Sequence, residues 1–350
     1  MNKVLLEDFE YILNSDLPWE TLNHKKVFIT GGTGFLGSLI IRFFDYINKK
    51  RNWNISIIAL IRNEEKAKRI IGDCNVTLVK GDICQIPAIE WDIDFIFHCA
   101  AVTDSKTMVG QPVEVTEGIV QGTSNIMLLS RQKAVESVIY LSSMEVYGVN
   151  TKASYERTGE KDLGYIDLFN ARSCYPMGKR MAENICFNYF AEYGVPVKIA
   201  RLAQTFGAGV SKTDNRVFAQ FARSAMDNED IVLHTEGTSI GNYCYSADAI
   251  LGMFFLLFKG ENGHEYNIVN EETTMSIKEM ASLVAEKITS GVISVNFDIP
   301  AGNKHGYAAV TNIRLSAEKI QGLGWEARFG MEEMYKRMIR SLLDGAGEAS

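Results

Sequence analysis

Tyr175 and Lys179 stand four residues apart in RSCYPMGKRMAE, a spacing that places both side chains on one face of a helix. An ammonium beside a phenol favours the phenolate, so Tyr175 can exchange a proton with a substrate hydroxyl near neutral pH. Pro176 suits the first position of that helix. Such pairs occur by chance on many helices, and the weight comes from a second segment, YLSSMEVYG, at Tyr140 to Gly148. There Ser143 can hydrogen-bond a reacting hydroxyl. Glu145 is either a second acid or base or a solvated turn carboxylate.

A third segment reads TGGTGFLG, with Gly31, Gly34 and Gly37 spaced GxxGxxG between an apolar run and an amphipathic one. Glycine is needed there for a tight turn and for close approach of backbone to a pyrophosphate, which the positive end of the following helix attracts. Placed between a first strand and a first helix, the motif points to a dinucleotide. Lys179 can then hold the nicotinamide ribose. The second strand ends in Leu60-Ile61-Arg62-Asn63, where an acid would bind a ribose 2′-hydroxyl. Arg62 instead leaves open a 2′-phosphate, a stack over adenine, or solvent. Asp82 either accepts a hydrogen bond from adenine or forms a Gly-Asp turn.

The elements that must position these residues follow an alternating rhythm. Strands are expected at Lys26–Thr30, Ile55–Ile61, Val76–Lys80, Asp94–Cys99, Ser137–Ser142 and Val197–Arg201. Helices are expected at Phe35–Tyr46, Val113–Arg131 and Pro176–Tyr193. Apolar strands between amphipathic helices predict an α/β fold, a doubly wound parallel sheet of the Rossmann type. Ser143 then falls at the carboxyl edge of the sheet, where such folds bind ligands. The expected organisation is a helical lead-in over 1–24, a dinucleotide-binding domain over 25–205 and a smaller substrate-binding lobe over 206–345. A segment near 242–270 returns to the first domain, and 346–350 is a frayed tail.

Composition narrows the partners. Acidic residues exceed basic ones, 43 against 36, for a net charge of −7, which argues against nucleic acid. The longest apolar run, Ile250–Phe258, is too short to cross a bilayer, and the N-terminus lacks the basic start of a signal peptide. Six cysteines without a CxxC pair read as buried free thiols of a cytoplasmic protein. The five histidines show no HxxxH or HExxH spacing, so no metal is expected, and His98 belongs to a buried strand end. Met177, Met181, Ile185 and Tyr189 read as a helix-packing surface.

TGGTGFLG, the HCAA of His98–Ala101, SSMEVYG and the YxxxK of Tyr175–Lys179 occur in order. Together they resemble the extended short-chain dehydrogenase/reductase family, in particular its NAD-dependent nucleotide-sugar epimerases, dehydratases and decarboxylases. GKRMAENICFNYFAEYGVPVKIARL and RVFAQFARSAM are most similar to the UDP-glucuronate decarboxylase and dTDP-glucose dehydratase branches. The resemblance spans about Lys26 to Trp325. It implies bound NAD, with NADP left open by Arg62, that oxidises a sugar carbinol to a ketone and later returns the hydride. It implies cofactor contacts from Gly31, Thr33, Gly34, Phe35, Leu36 and Gly37 in the turn. Arg62, Asp82, Ile83, Ala100, Ala101, Ser142, Tyr175 and Lys179 would complete them. Ser143, Glu145, Tyr175 and Lys179 would form the catalytic group. A homodimer paired through Val113–Arg131 and Pro176–Tyr193 is also implied.

Departures from the family cluster where it clamps the substrate diphosphate. Gln204 replaces the usual Asn before the turn, and Gly241 stands in place of an arginine. Lys304 and His305 are the nearest cations before Leu323-Gly324-Trp325. Lysine and glycine do not replace a bidentate guanidinium in kind. The expected substrate contacts are therefore Thr103, Gln204, Arg216, Lys304 and His305, with Lys212 a further candidate. Met144 stands before Glu145 where dehydratases carry Asp and decarboxylases Ser, and it cannot donate a proton. Epimerisation of a nucleotide-linked sugar or polyol is the leading expectation. Decarboxylation, 4,6-dehydration, net polyol or ketose redox and a non-catalytic dinucleotide sensor stand behind it.

Overall fold

The structure, a computed structural model, describes residues 2–149, 156–299 and 312–344. The chain opens with α1 (Lys3–Leu13), capped by Asn2, whose side-chain oxygen accepts the N–H groups of Val4 and Leu5. β1 (Lys26–Thr30) runs into α2 (Phe35–Arg51), followed by β2 (Ser56–Ile61), α3 (Glu64–Ile71), β3 (Thr77–Lys80) and β4 (Phe95–His98). α4 (Ser105–Gly110) and α5 (Pro112–Lys133) lead to β5 (Ser137–Ser143), and α6 (Cys174–Tyr193) leads to β6 (Val197–Leu202). Next come β7 (Gln204–Phe206), α7 (Val217–Asp227), β8 (Ile231–Leu233), β9 (Ile240–Tyr245), α8 (Ser246–Lys259) and β10 (Glu265–Ile268). β11 (Asn270–Ser276), α9 (Ile277–Leu283), β12 (Val295–Phe297), α10 (Glu318–Gln321) and α11 (Met331–Asp344) complete the described elements.

Seven strands form one parallel sheet in the order β3-β2-β1-β4-β5-β6-β10. The order reverses between β1 and β4, which opens a crevice at the carboxyl ends of those two strands. Helices cover both faces, which explains why the strands read as unbroken apolar runs; β5 is buried from Ser137 to Ser142. One core lies between the sheet and α2 and α8, the other between the sheet and α5 and α6. β11-β9-β7 and the pair β12-β8 form two small separate sheets. α8 packs against β5 and β6, and β10 adds to the large sheet beside β6, so the chain returns to it after β9.

Several boundaries differ from expectation for physical reasons. α2 continues past Tyr46 to Arg51 because Lys49, Lys50 and Arg51 complement its negative end, and Asn52 closes it in the left-handed conformation. α6 begins at Cys174, so Pro176 is its third residue and not its first. Proline is tolerated there because N–H groups of the first turn have no helical acceptor. All six cysteines are free, yet only Cys186 and Cys244 are buried, and the other four are half-buried. Met181 faces outward and is not part of a packed stripe. Among the described residues no helix is long and apolar enough to cross a membrane, and no cluster of His, Cys, Asp or Glu could hold a metal.

Candidate active site

The glycine turn is shaped by contacts that a side chain would destroy. Gly31 has φ +68°, and a Cβ there would lie 2.8 Å from the Ala100 nitrogen at the end of β4. A Cβ on Gly37 would lie 2.3 Å from the Gly31 carbonyl oxygen, so this glycine lets α2 sit directly on the turn. Gly34 is exposed and Thr33, Phe35 and Leu36 are half-buried at the start of the 17-residue α2, whose first N–H groups have no partner within the helix. Behind them the Thr30 hydroxyl accepts the Ala100 N–H at 3.2 Å and meets His98 Nδ1 at 2.7 Å. Burial pushes the His98 pKa down to about 3, with the Lys179 charge adding to it, so this imidazole is a neutral strut between β1, β4 and α5. A cradle that a Cβ would fill, at the positive end of a long helix, fits a pyrophosphate.

The adenosine side is less decisive. Arg62 is exposed just beyond β2. Asp82 accepts the Cys84 N–H at 2.8 Å, the turn-forming role open to it in the sequence. Ile83 packs against Gly122 of α5, and its carbonyl accepts Asn125 Nδ2 at 3.0 Å. Ala101 is half-buried against the core beneath α5.

Tyr175 and Lys179 do share the inner face of α6, both buried. The expectation that Lys179 makes Tyr175 acidic is not met. The Lys179 ammonium donates to the Leu141 carbonyl at 2.6 Å and stands 5.9 Å from the centre of the Tyr175 ring. Burial holds the Tyr175 pKa above its usual value and the Glu145 carboxylate adds to this, while the Ser143 hydrogen bond and the charges of Arg172 and Arg216 pull it down. Burial also lowers the Lys179 pKa to about 8 against the pull of Glu183. Glu145 is partly exposed but not free: Arg172 Nη2 donates to its Oε1 at 2.8 Å. Arg180 pins this turn through the Val146 carbonyl at 2.7 Å.

The hydroxyl of Ser142, expected among the cofactor contacts, donates to buried Glu183 at 2.5 Å. Glu183 in turn accepts Arg201 Nη2 at 2.6 Å, and Arg201 Nη1 donates to the Tyr147 hydroxyl at 3.1 Å. Tyr147 donates to Asn267 Oδ1 at 2.6 Å. This network joins β5, α6, β6 and β10 beneath the site. Single-segment motifs missed it because its members lie on separate elements. Arg172 was missed for the same reason, although its place three residues before Tyr175 was a usable signal.

The expected substrate contacts are only partly gathered. Arg216 caps α7 and forks onto Asp214, with Nη2–Oδ2 at 2.6 Å. Its guanidinium lies 4.7 Å from the centre of the Phe218 ring and 5.9 Å from that of Phe35, so it faces the glycine turn. Thr103 is exposed in the loop before α4, and Gln204 is exposed at the start of β7. Among the described residues, a Cβ on Gly241, where an arginine was expected, would meet only the Tyr243 phenol, at 3.8 Å. Lys304 and His305 lie outside the described residues.

The order of the sheet, the cradle at its switch point and the serine-tyrosine-lysine group at its carboxyl edge define a dinucleotide-dependent α/β enzyme. The chain belongs to the NAD dependent epimerase/dehydratase family, whose profile matches residues 27–269. It is 27% identical over 314 residues to UDP-glucuronic acid decarboxylase 5 of Arabidopsis thaliana, covering 89% of this chain and 87% of that one. Identity to the dTDP-D-glucose 4,6-dehydratase of Mus musculus is 26% over 329 residues, covering 90% and 88%. The fold superposes on UDP-glucose 4-epimerase of Thermotoga maritima, solved with UDP-glucose, with a TM-score of 0.75 at 20% identity, covering 92% and 99% of the chains.

Proposed function

We propose that this enzyme is an NAD-dependent epimerase of a nucleotide-activated sugar or related polyol, working through a transient ketone. The observation that carries this is the state of the acids around Tyr175. Glu145 is paired with Arg172, and the residue before it is the buried Met144, which has no proton to give, so this turn, among the described residues, offers no unpaired acid to expel water from the sugar. Ser143 orients the substrate hydroxyl and Tyr175 takes its proton, then returns it. Gly31 to Gly37 and Lys179 hold the cofactor, which supplies a hydride acceptor and donor when bound. Arg216 is the candidate anchor for the substrate's phosphates. Exposed Arg62 keeps NADP in play, and the cofactor extracted from purified protein decides between the two.

Decarboxylation is the second reading. The Arg172 guanidinium beside Tyr175 supplies a cation in the site, and a curated relative carries that activity in its name. The deciding experiment incubates the holoenzyme with UDP-glucose, UDP-glucuronate and dTDP-glucose and follows products by NMR. Stereoisomers of the starting sugar with no net change in cofactor support epimerisation. Loss of the carboxyl carbon or of water replaces it with the corresponding lyase, and stoichiometric consumption of NAD overturns both.

A further inference from the structure

Arg172 lies in the short turn Ala171–Ser173 that feeds α6, and the Asn170 side chain fixes this turn by accepting the Arg172 N–H at 2.9 Å. From there the guanidinium reaches past Tyr175, 5.9 Å from its ring centre, to Glu145. Glu145 is fixed from the opposite side, because its N–H donates to the Ser143 hydroxyl oxygen at 3.2 Å. The carboxylate and the serine that act on this phenol therefore come from one turn at the end of β5, and the guanidinium from a second turn before α6.

A carboxylate near a phenol opposes its ionisation, and a guanidinium favours it. Other charged or titratable groups also lie around Tyr175. Lys179 on α6 donates to the Leu141 carbonyl, and Arg216 before α7 is forked on Asp214. The Cys174 thiol donates to the Met108 carbonyl of α4 at 3.3 Å, and Tyr140 on β5 is a buried phenol beneath the Lys179 ammonium. Arg172 differs from the other cations because its partner is the very carboxylate that hinders Tyr175.

We propose that Arg172 is a positioning residue for proton transfer: by pairing with Glu145 it cancels the field of that carboxylate at the Tyr175 hydroxyl, and so sets the pH at which Tyr175 can accept a proton. This rests on Tyr175 being the base of the proposed reaction. If charge and not shape is what matters, lysine should substitute for arginine here better than methionine.

The test uses holoenzyme and reads two quantities against pH. One is single-turnover reduction of bound NAD by UDP-glucose or UDP-glucuronate; the other is the tyrosinate absorbance that Tyr175→Phe removes. Arg172→Met should move the acidic limb and the tyrosinate transition upward by about one pH unit, and Glu145→Gln should move both downward. Arg172→Lys should stay near the parent, and the double variant Arg172→Met/Glu145→Gln should return towards it. If Arg172→Met fails to fold, Glu145→Gln alone decides. Transitions that stay in place in either folded single variant overturn the proposal, as does a double variant no closer to the parent than Arg172→Met. If neither sugar reduces the cofactor while the tyrosinate transition still shifts, the substrate assignment fails and the charge pairing stands.

Discussion

Tyr175 sits where burial and charge pull its proton in opposite directions, and burial dominates in the free protein. A phenol in that state is a poor base until a positive charge arrives beside it, so its reactivity belongs to the loaded site and not to α6 alone. Tyr175→Phe keeps the ring and its packing but removes the proton carrier. Turnover should fall by about 10²–10⁴-fold, with bound NAD per protein unchanged, as measured by extraction and single-turnover kinetics. The candidates Ser143, Tyr175 and Lys179 were legible because each sits in a short segment whose spacing states its geometry. The direction of the Lys179 ammonium was not, since the acceptor that captures it, the Leu141 carbonyl, comes from β5. Arg172 stayed hidden because a charge three residues from a tyrosine acquires meaning only when the turn folds it back onto Glu145.

Between the residues and the fold lies the buried ladder from Ser142 through Glu183 and Arg201 to Tyr147 and Asn267. Its ion pair is nearly sealed, with Arg201 and Glu183 side chains 5% and 10% exposed, so breaking it by removing one partner leaves an unpaired buried charge. Arg201→Met should cost about 3–5 kcal/mol in urea unfolding, whereas replacing both partners by apolar residues should cost less. The central strands were readable from their apolar runs, since a strand covered on both faces has no polar side. The start of α6 was misplaced because Pro176 resembles a first helical residue, while the Ala171–Ser173 turn already delivers the chain in helical geometry at Cys174. The different partners of the two adjacent serines, Glu183 for the Ser142 hydroxyl and the Glu145 N–H for that of Ser143, were not legible either, because adjacent residues of a strand point to opposite faces and only the folded sheet supplies their partners.

At the scale of the whole molecule, α1 fastens distant parts of the chain. Tyr11 donates to buried Asp248 at 2.8 Å, Asp8 pairs with Arg337 of α11 at 2.7 Å, and Trp19, just beyond α1, meets Phe43, Phe254 and Phe258 edge-on. Burial raises the Asp248 pKa from 3.8 to about 7, outweighing the Phe329, Tyr11 and Arg328 donors, and burial likewise raises Asp8 to about 6 despite Arg337. The folded chain therefore keeps protons that the unfolded chain has released between roughly pH 4 and 7, and these two groups make stability fall as pH rises through that window. Thermal unfolding followed by circular dichroism should show Asp248→Asn with a flatter decline than the parent between about pH 4 and 7. On the opposite flank, exposed Leu128 of α5 and Met181 and Phe187 of α6 leave apolar surface on this pair of helices. We propose that a second copy covers it in a two-fold pairing; Phe187→Glu should shift sedimentation from dimer towards monomer, and a monomeric parent would end the idea. The path of the chain has a consequence for motion. It leaves the large sheet after β6, comes back through α8 and β10, and leaves again into β11. A clamshell opening between the large sheet and the small ones would have to bend all these connections together. On the proposed reaction, in which the cofactor gives back its own hydride, a framework tied in this way would favour long retention of the dinucleotide over many sugars.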